Sequence, residues 1–534
     1  LASVRSILVT PFRSIDATSA QSYLEVGMAE SLATRLGRID RLRVPPLAAV
    51  RADEDLFAAA RRLSIDAVLS GSVQRDADRL RVTAQLSRAG DGQILWNESF
   101  DQSFTDIFAV QDAIAERLAA GVVRGLSSSD RALLTRRYTS NAEAYDLYLR
   151  AREQWTRRTP EAVRAAIRMY DNAIALDPSF ALAYAGLADA YNITRSGLPA
   201  AVRYPLAKGA AERAVALDPH LSEAHTSLGF LRYKFEQNWP DAEAEFVRAI
   251  ELNPINALAR HWHAESLFLR GRYDESLGEY RRALELDPFS TALYYDAVRC
   301  AVRGGKVGEA RSLIDDALAL APQEPRLQDG LSMVLFAEGR HREGMEALAQ
   351  YLVLDGYTVA QAETLRAGFA HGGMTAMYAA WITLLEPRAA KGASQAATLL
   401  AETYGRLGDH ARALQWLKRA FDLREDARIR LVSNAGYDSL RSRPEFQAFL
   451  REAGFPGEAS LTAAPRLFVK RFVPRRAAIR ASQRRTACTS SLAPYSHLSS
   501  RYVSQVDGGR VHRCSCGRQP RPAIGGCKHG GRLD

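Results

Sequence analysis

Two rhythms of apolar and polar positions divide the chain. Up to about Gly125, short apolar runs of strand period alternate with amphipathic stretches. Ile7-Leu-Val-Thr-Pro-Phe12 reads as a strand. Gln21 to Ile39 reads as a helix, with Leu24, Met28, Leu32 and Leu36 on one face. A short strand, Leu42-Arg-Val44, a helix from Asp55 to Leu63 and a strand from Ala67 to Val73 follow. Leu80 to Leu86 alternates apolar and polar, Asp91-Gly92 offers a turn, and Ile94-Leu-Trp96 opens the return strand of a hairpin. A last helix, Ile107 to about Val123, completes a small α/β domain over residues 1–125.

From Asn141 to Arg424 the period becomes helical and repeats. Asp177-Pro178, Asp218-Pro219, Asn253-Pro254, Asp287-Pro288 and the variant Ala321-Pro322 each close a helical segment. Their proline spacings are 41, 35, 34 and 34 residues. Small residues recur on one face of each second helix, as at Ala242, Ala249 and Ala283, where only a short side chain lets neighbouring backbones approach. A 34-residue helix–turn–helix period is that of the tetratricopeptide repeat (TPR). The array is expected over 141–425 as about seven helix pairs in an all-α superhelix. Residues 357–395 form a degenerate pair turning at Gly372-Gly373, and the first pairs carry about seven extra residues around Ser196-Gly-Leu-Pro199. A capping segment is expected over 426–456.

The front domain carries a second likeness. Val9-Thr-Pro-Phe12, Gly27-Met-Ala-Glu-Ser-Leu32, Gly71-Ser-Val73, Arg81-Val-Thr-Ala-Gln-Leu86, Leu95-Trp96 and Asp106-Ile-Phe-Ala-Val-Gln-Asp112 resemble the TolB-like amino-terminal domain of bacterial signalling proteins. The segment Tyr437-Asp-Ser-Leu-Arg-Ser-Arg-Pro-Glu-Phe446 is similar to that group as well. The resemblance implies a sensor or scaffold module. Its effector, a winged-helix DNA-binding domain, nucleotide cyclase or kinase, usually lies upstream. The chain opens on Leu1 and enters a strand almost at once, as expected of a protein whose upstream part is missing. The domain brings no catalytic residues to transfer.

Charge separates the tail from the body. After Pro456 there are 15 Lys and Arg against 3 Asp and Glu, leaving 56 basic and 58 acidic residues before it. The net charge of +10 therefore belongs to residues 457–534, and the near-neutral body has no basic stripe for nucleic acid. Rich in Arg, Ser, Gly and Pro, the tail reads as disordered, or as an out-of-frame product of a GC-rich gene. Its His512, Cys514, Cys516, Cys527 and His529 are zinc-type ligands, but Cys-x-Cys is tighter than a usual finger and no apolar pattern surrounds it. Cys300, the one body cysteine, excludes an intrachain disulfide framework there. No run of 18 apolar residues exists to span a membrane. A cytoplasmic site is expected, or a periplasmic face should an upstream anchor exist.

Chemistry is sparse. There is no phosphate-binding loop, HExxH or nucleophile elbow. Gly304-Gly305-Lys306 lacks the flanking residues of a phosphate loop and falls at a repeat turn. His261 and His263 stand two apart on a helix and so face different ways, unable to share one metal ion. The expectation is a non-enzyme without cofactor or metal that binds a protein or peptide in its concave groove. Projecting the repeat register along the first helices places Thr226, Phe230, Tyr233, His261, Glu265, Phe268, Tyr295 and Arg299 on that wall. Aromatic and Arg side chains are the usual interface anchors. A TPR-fused glycosyltransferase is disfavoured, since no room remains after the repeats for a nucleotide-sugar domain.

Overall fold

The computed structural model describes residues 4–452, apart from 16–21, 40, 52–53, 77, 124–125, 158, 194–199, 237, 392–394, 424–430 and 432–433. The readings for the tail, its zinc-type ligands and the insertion around Ser196 to Pro199 fall outside these residues.

The front domain is a sheet with helices. Strands β1 (Ile7–Val9) and β2 (Arg13–Ser14) run parallel to β3 (Ala67–Asp76), which pairs antiparallel with β4 (Arg79–Arg88), and β4 with β5 (Ile94–Ser103). The period-2 pattern does what it predicts: Leu80, Val82, Ala84 and Leu86 are all fully buried on one face. Helices α1 (Ser22–Leu36) and α3 (Ile107–Val122) share a core with that face through Leu24, Met28, Leu32, Ile114 and Leu118. Helix α2 (Leu56–Arg62) packs with Leu8 and Val68 in a separate small cluster. The expected strand at Leu42–Val44 shrinks to a single bridge between Ser6 and Arg43. Pro45 and Pro46 follow at once and supply no N–H to continue a ladder. A short helix, α4 (Ser128–Leu134), leads on with a Ser127–Asp130 capping box.

Eight helix pairs follow among the described residues, where the sequence suggests about seven. They are α5 (Ala142–Thr156) with α6 (Pro160–Leu176), and α7 (Ala181–Ile193) with α8 (Ala200–Leu217). Next come α9 (Ser222–Leu231) with α10 (Trp239–Leu252), and α11 (Ala257–Leu269) with α12 (Tyr273–Leu286). Then α13 (Thr291–Arg303) pairs with α14 (Val307–Leu320), and α15 (Pro325–Ala337) with α16 (His341–Leu354). The run α17 (Val359–Ala390) is two helices broken at Gly372 and Gly373, the latter with φ +62°. Helices α18 (Ala396–Arg406) and α19 (His410–Asp422) form the last pair, and α20 (Pro444–Glu452) closes the described chain.

Local chemistry explains the repeat. Asp177, Asn253, Asp287 and Ala321 each precede a proline, and each is a C-cap that has left the helical region, with ψ between 75° and 93°. Proline sterics disfavour helix in the residue before it, so the pairs end there. Within pairs, Gly271, Gly305, Gly339 and Gly408 adopt φ of 74–80°, a conformation that lets the chain reverse in a few residues. Ala242, Ala249, Ala283, Ala317 and Ala420 are fully buried where helices meet. Gly229 serves the same purpose, since a Cβ there would stand 2.9 Å from the Phe246 ring.

Front domain and array are tied at Asp146 on α5. It accepts from the Tyr23 hydroxyl at 2.6 Å and from Arg75 at 2.7 Å, and it pairs with Arg150 at 2.9 Å. Arg75 also lies 3.6 Å from the Phe104 ring centre. Apolar packing is continuous from the sheet through α5–α9, whereas a second core begins at Phe230.

Candidate functional site

The eight projected wall residues fall into two groups. Thr226, Phe230, Tyr233 and Phe268 are at most 3% exposed, which corrects their placement on an open wall. Thr226 donates to the Ser222 carbonyl at 2.8 Å and accepts from Asn256 at 3.1 Å. Phe230 lies against Trp262 of the next unit at 4.3 Å between ring centres. Tyr233 lies in a π-helical turn, Arg232–Glu236, with its ring 6.0 Å from Phe246 of its own second helix. Rings this large reach across to the neighbouring helix and fill the contact. Phe268 packs beside Tyr273, with the Arg299 guanidinium 5.1 Å from its ring centre.

The other four come together in one half-buried polar network. His261 Nε2 lies 2.9 Å from Asp296 Oδ2, and Arg299 Nη1 donates to Asp296 Oδ1 at 3.0 Å. Arg299 also stands 3.7 Å from Glu265, whose other oxygen accepts from the Tyr280 hydroxyl at 2.9 Å. Tyr295 donates to Asp329 at 2.8 Å and lies under the Arg299 guanidinium at 5.6 Å. Burial works to raise the Asp296 carboxyl, but the His261 hydrogen bond and the Arg299 charge outweigh it and hold it below the usual range. Burial, with Asp329 alongside, pushes the Tyr295 hydroxyl well above its ordinary pKa, so it remains a donor.

Asp296, Tyr280 and Asp329 were not anticipated from the sequence. A signal existed for Asp329: His261, Tyr295 and Asp329 are spaced by 34 residues, one register in three successive units. Equivalent positions on adjacent first helices face each other, so extending the projection by one unit reaches it.

The remaining motifs have structural partners. Lys306 pairs with Asp274 beside the Gly305 turn. His263 packs near Phe246, apart from the contact that His261 makes with Asp296. Burial pushes the Cys300 thiol up to about 12, and its sulfur sits 3.4 Å from the Tyr273 carbonyl. Among the described residues no group of His, Cys, Asp or Glu is placed to hold a metal ion, and no helix is long and apolar enough to cross a membrane.

Comparison with known proteins agrees with the repeat. Profiles described as tetratricopeptide repeat match residues 230–291, 267–334 and 394–426. The array is thus a TPR solenoid, a fold used as a protein–protein interaction scaffold. The chain is 31% identical over 186 residues to "Putative adenylate cyclase 3" of Rhizobium meliloti (strain 1021), covering 34% of this chain and 32% of that protein. It is 22% identical over 306 residues to "Transcriptional regulator HilA" of Salmonella typhimurium, covering 54% and 52%. The chain therefore spans about a third to a half of these curated relatives. Among solved structures, yeast Tom70 aligns at 16% identity and a TM-score of 0.36, covering 65% of this chain and 84% of that one.

Proposed function

We propose that the chain is a scaffold or sensor module of a bacterial signalling system, whose first helices hold a segment of a partner protein. The observation that carries this reading is the convergence of His261, Glu265, Tyr295, Asp296 and Arg299, from two successive units, in one polar and aromatic patch. Such a patch supplies donors, acceptors and ring faces to orient an extended chain. Its role is binding in the cytoplasm, without cofactor and without catalysis. The test is capture of partners from the native host, comparing the wild type with Tyr295→Phe plus Arg299→Gln, which keep most of the side-chain volume. Partner recovery should fall while both proteins melt cooperatively. Unchanged recovery would remove this patch as the contact. Turnover of ATP, GTP or nucleotide sugars, abolished by one body substitution, would overturn the non-catalytic reading.

A second reading is favoured by the names of the curated relatives: the chain is the regulatory part of a transcriptional regulator or nucleotide cyclase. The adjoining genomic sequence decides it. A winged helix or a cyclase domain in frame upstream supports it, and an in-frame stop codon before Leu1 removes it.

A further inference from the structure

The front domain follows the corners of the array, where the second helix of one pair passes to the first helix of the next. Thr139 donates to Asp177 at the first corner at 2.5 Å, and Arg136 pairs with both carboxylate oxygens of Asp218 at the second. At the third corner Ile255 lies against the end of α1, where a Cβ on Gly37 would stand 3.3 Å from its Cδ1. At the fourth, just after Asp287-Pro288, the Phe289 ring meets two guanidiniums of the front domain. Arg62 lies 5.5 Å and Arg51 5.9 Å from its centre, and the turn Leu47–Ala49 rests against α12. Arg62 is held in place by Glu54 at 2.8 Å and by the Ala49 carbonyl at 2.9 Å.

The two ends of this seam differ in kind. At α5 apolar packing is continuous, and Asp146 gathers Tyr23 and Arg75. At Phe289 the contact is cation against ring. The Arg62 side chain is 40% exposed. Phe289 is half-buried and belongs to none of the apolar cores among the described residues. A cleft of about 550 Å³, lined in part by Ala48, Val50, Thr291 and Leu320, runs beside its ring. Water screens a contact of this sort, and an unfilled cleft forgoes the dispersion attraction of close packing. Its position gives it weight. The sheet and α1 belong to the first core, whereas α12 and α13 belong to the second. At Phe289 the front domain reaches the second group of helices without passing through α9. Two residues further on α13 begins, the helix of Tyr295, Asp296 and Arg299.

We propose that Arg62, Arg51 and Phe289 form a releasable latch through which the front domain sets how the first turn of α13 is held. Closed, the latch ties α2 and the Leu47–Ala49 turn to that corner. Open, the α/β domain stays anchored at α5 while the corner and the turn are both freed. The latch stands on these contacts alone; its bearing on a binding surface rests on the reading of the Tyr295 and Arg299 patch.

The test is hydrogen exchange by mass spectrometry on the full chain, read on both sides of the seam. On the front side the Ala49 and Val50 amides donate to the Pro46 and Leu47 carbonyls, and on the array side the Tyr294 amide donates to the Ser290 carbonyl. Phe289→Leu keeps an apolar side chain and removes the ring. It should speed exchange across residues 46–51 by about tenfold, the change in open population expected when both ring contacts are lost. Arg62→Gln should speed exchange across residues 290–296, on the opposite side from the substitution. Phe289→Tyr, which keeps the ring, should match wild type on both sides. Exchange across residues 144–149, at the anchored end, should stay unchanged in every variant. The latch is overturned if each substitution affects only its own side, or if Phe289→Tyr exchanges as fast as Phe289→Leu. It is overturned as well if residues 144–149 speed up in step, since the front domain is then loosening as a whole. Partner recovery by the Tyr295→Phe plus Arg299→Gln variant decides the patch, and the exchange pattern decides the latch, so either fails without the other.

Discussion

Tyr295 donates its hydroxyl to Asp329 at 2.8 Å, and the two residues stand one repeat, 34 positions, apart. A hydrogen bond to a charged group contributes about 1.5–3 kcal/mol when it is shielded from water. Tyr295→Phe should therefore lower stability by about 2 kcal/mol, and it should cost much less in the background of Asp329→Ala, which leaves the hydroxyl no acceptor at that position. A urea-denaturation double-mutant cycle checks this, and additive losses would show that the two side chains do not interact.

Helix contacts in the array depend on small residues. Ala283 is fully buried between α12 and its neighbours, and Phe in its place should cost roughly 1–3 kcal/mol through overpacking. Wild-type thermal stability in Ala283→Phe would show that this contact is looser than described.

Two glycines in one helix pair should respond oppositely. Gly271 holds φ +74° at the turn, where a Cβ is strained by about 1–2 kcal/mol, so Gly271→Ala should melt earlier. Gly278 lies inside α12 with open space where a Cβ would be, and Gly278→Ala should stabilise by roughly 0.5–1 kcal/mol. Paired melting curves read both signs.

Two buried histidines should shape the pH profile. His225 lies between Glu245 at 2.6 Å and the Pro219 carbonyl at 2.9 Å, two acceptors that only the doubly protonated ring can satisfy. Burial opposes its charge, but these partners outweigh burial and raise its pKa above 6.5. Its contribution is thus complete below about pH 6.5 and fades as pH climbs through the raised value. His263 is the opposite case. Neither of its ring nitrogens has a hydrogen-bond partner among the described residues, and burial lowers its pKa. The unfolded chain therefore takes up the proton first, and stability falls as pH drops below about 6.5. Urea midpoints across this range should lose the alkaline slope in His225→Gln and the acid slope in His263→Leu. A slope that survives its substitution assigns it to another group.

Legibility followed locality. Asp-Pro boundaries, turn glycines and the alternation from Leu80 to Leu86 are short-range steric facts, and the elements they announce are present. The wall residues were harder because a register assigns a direction but not a depth. The rings of Phe230 and Phe268 are buried against Trp262 and Tyr273. Tyr233 lies in a π turn, and no pattern in Arg232–Glu236 announces a departure from α-helical spacing. Asp296 escaped because it neighbours Tyr295 in a register not projected. The contact of Arg62 with Phe289 had no sequence signal, since it depends on how the solenoid winds past the front domain.

The continuous apolar packing from the sheet into α5–α9 makes the stretch between residues 125 and 141 a poor place to cut. An array excised there would present Tyr145, Tyr148 and Leu149, all nearly buried now, as a bare end. A solenoid needs a polar cap at each terminus, and here the α/β domain supplies one. The first core hands over to the second inside α9, where Leu228 and Leu231 belong to the one and Phe230 to the other, so the packing that the cap begins reaches well into the repeats.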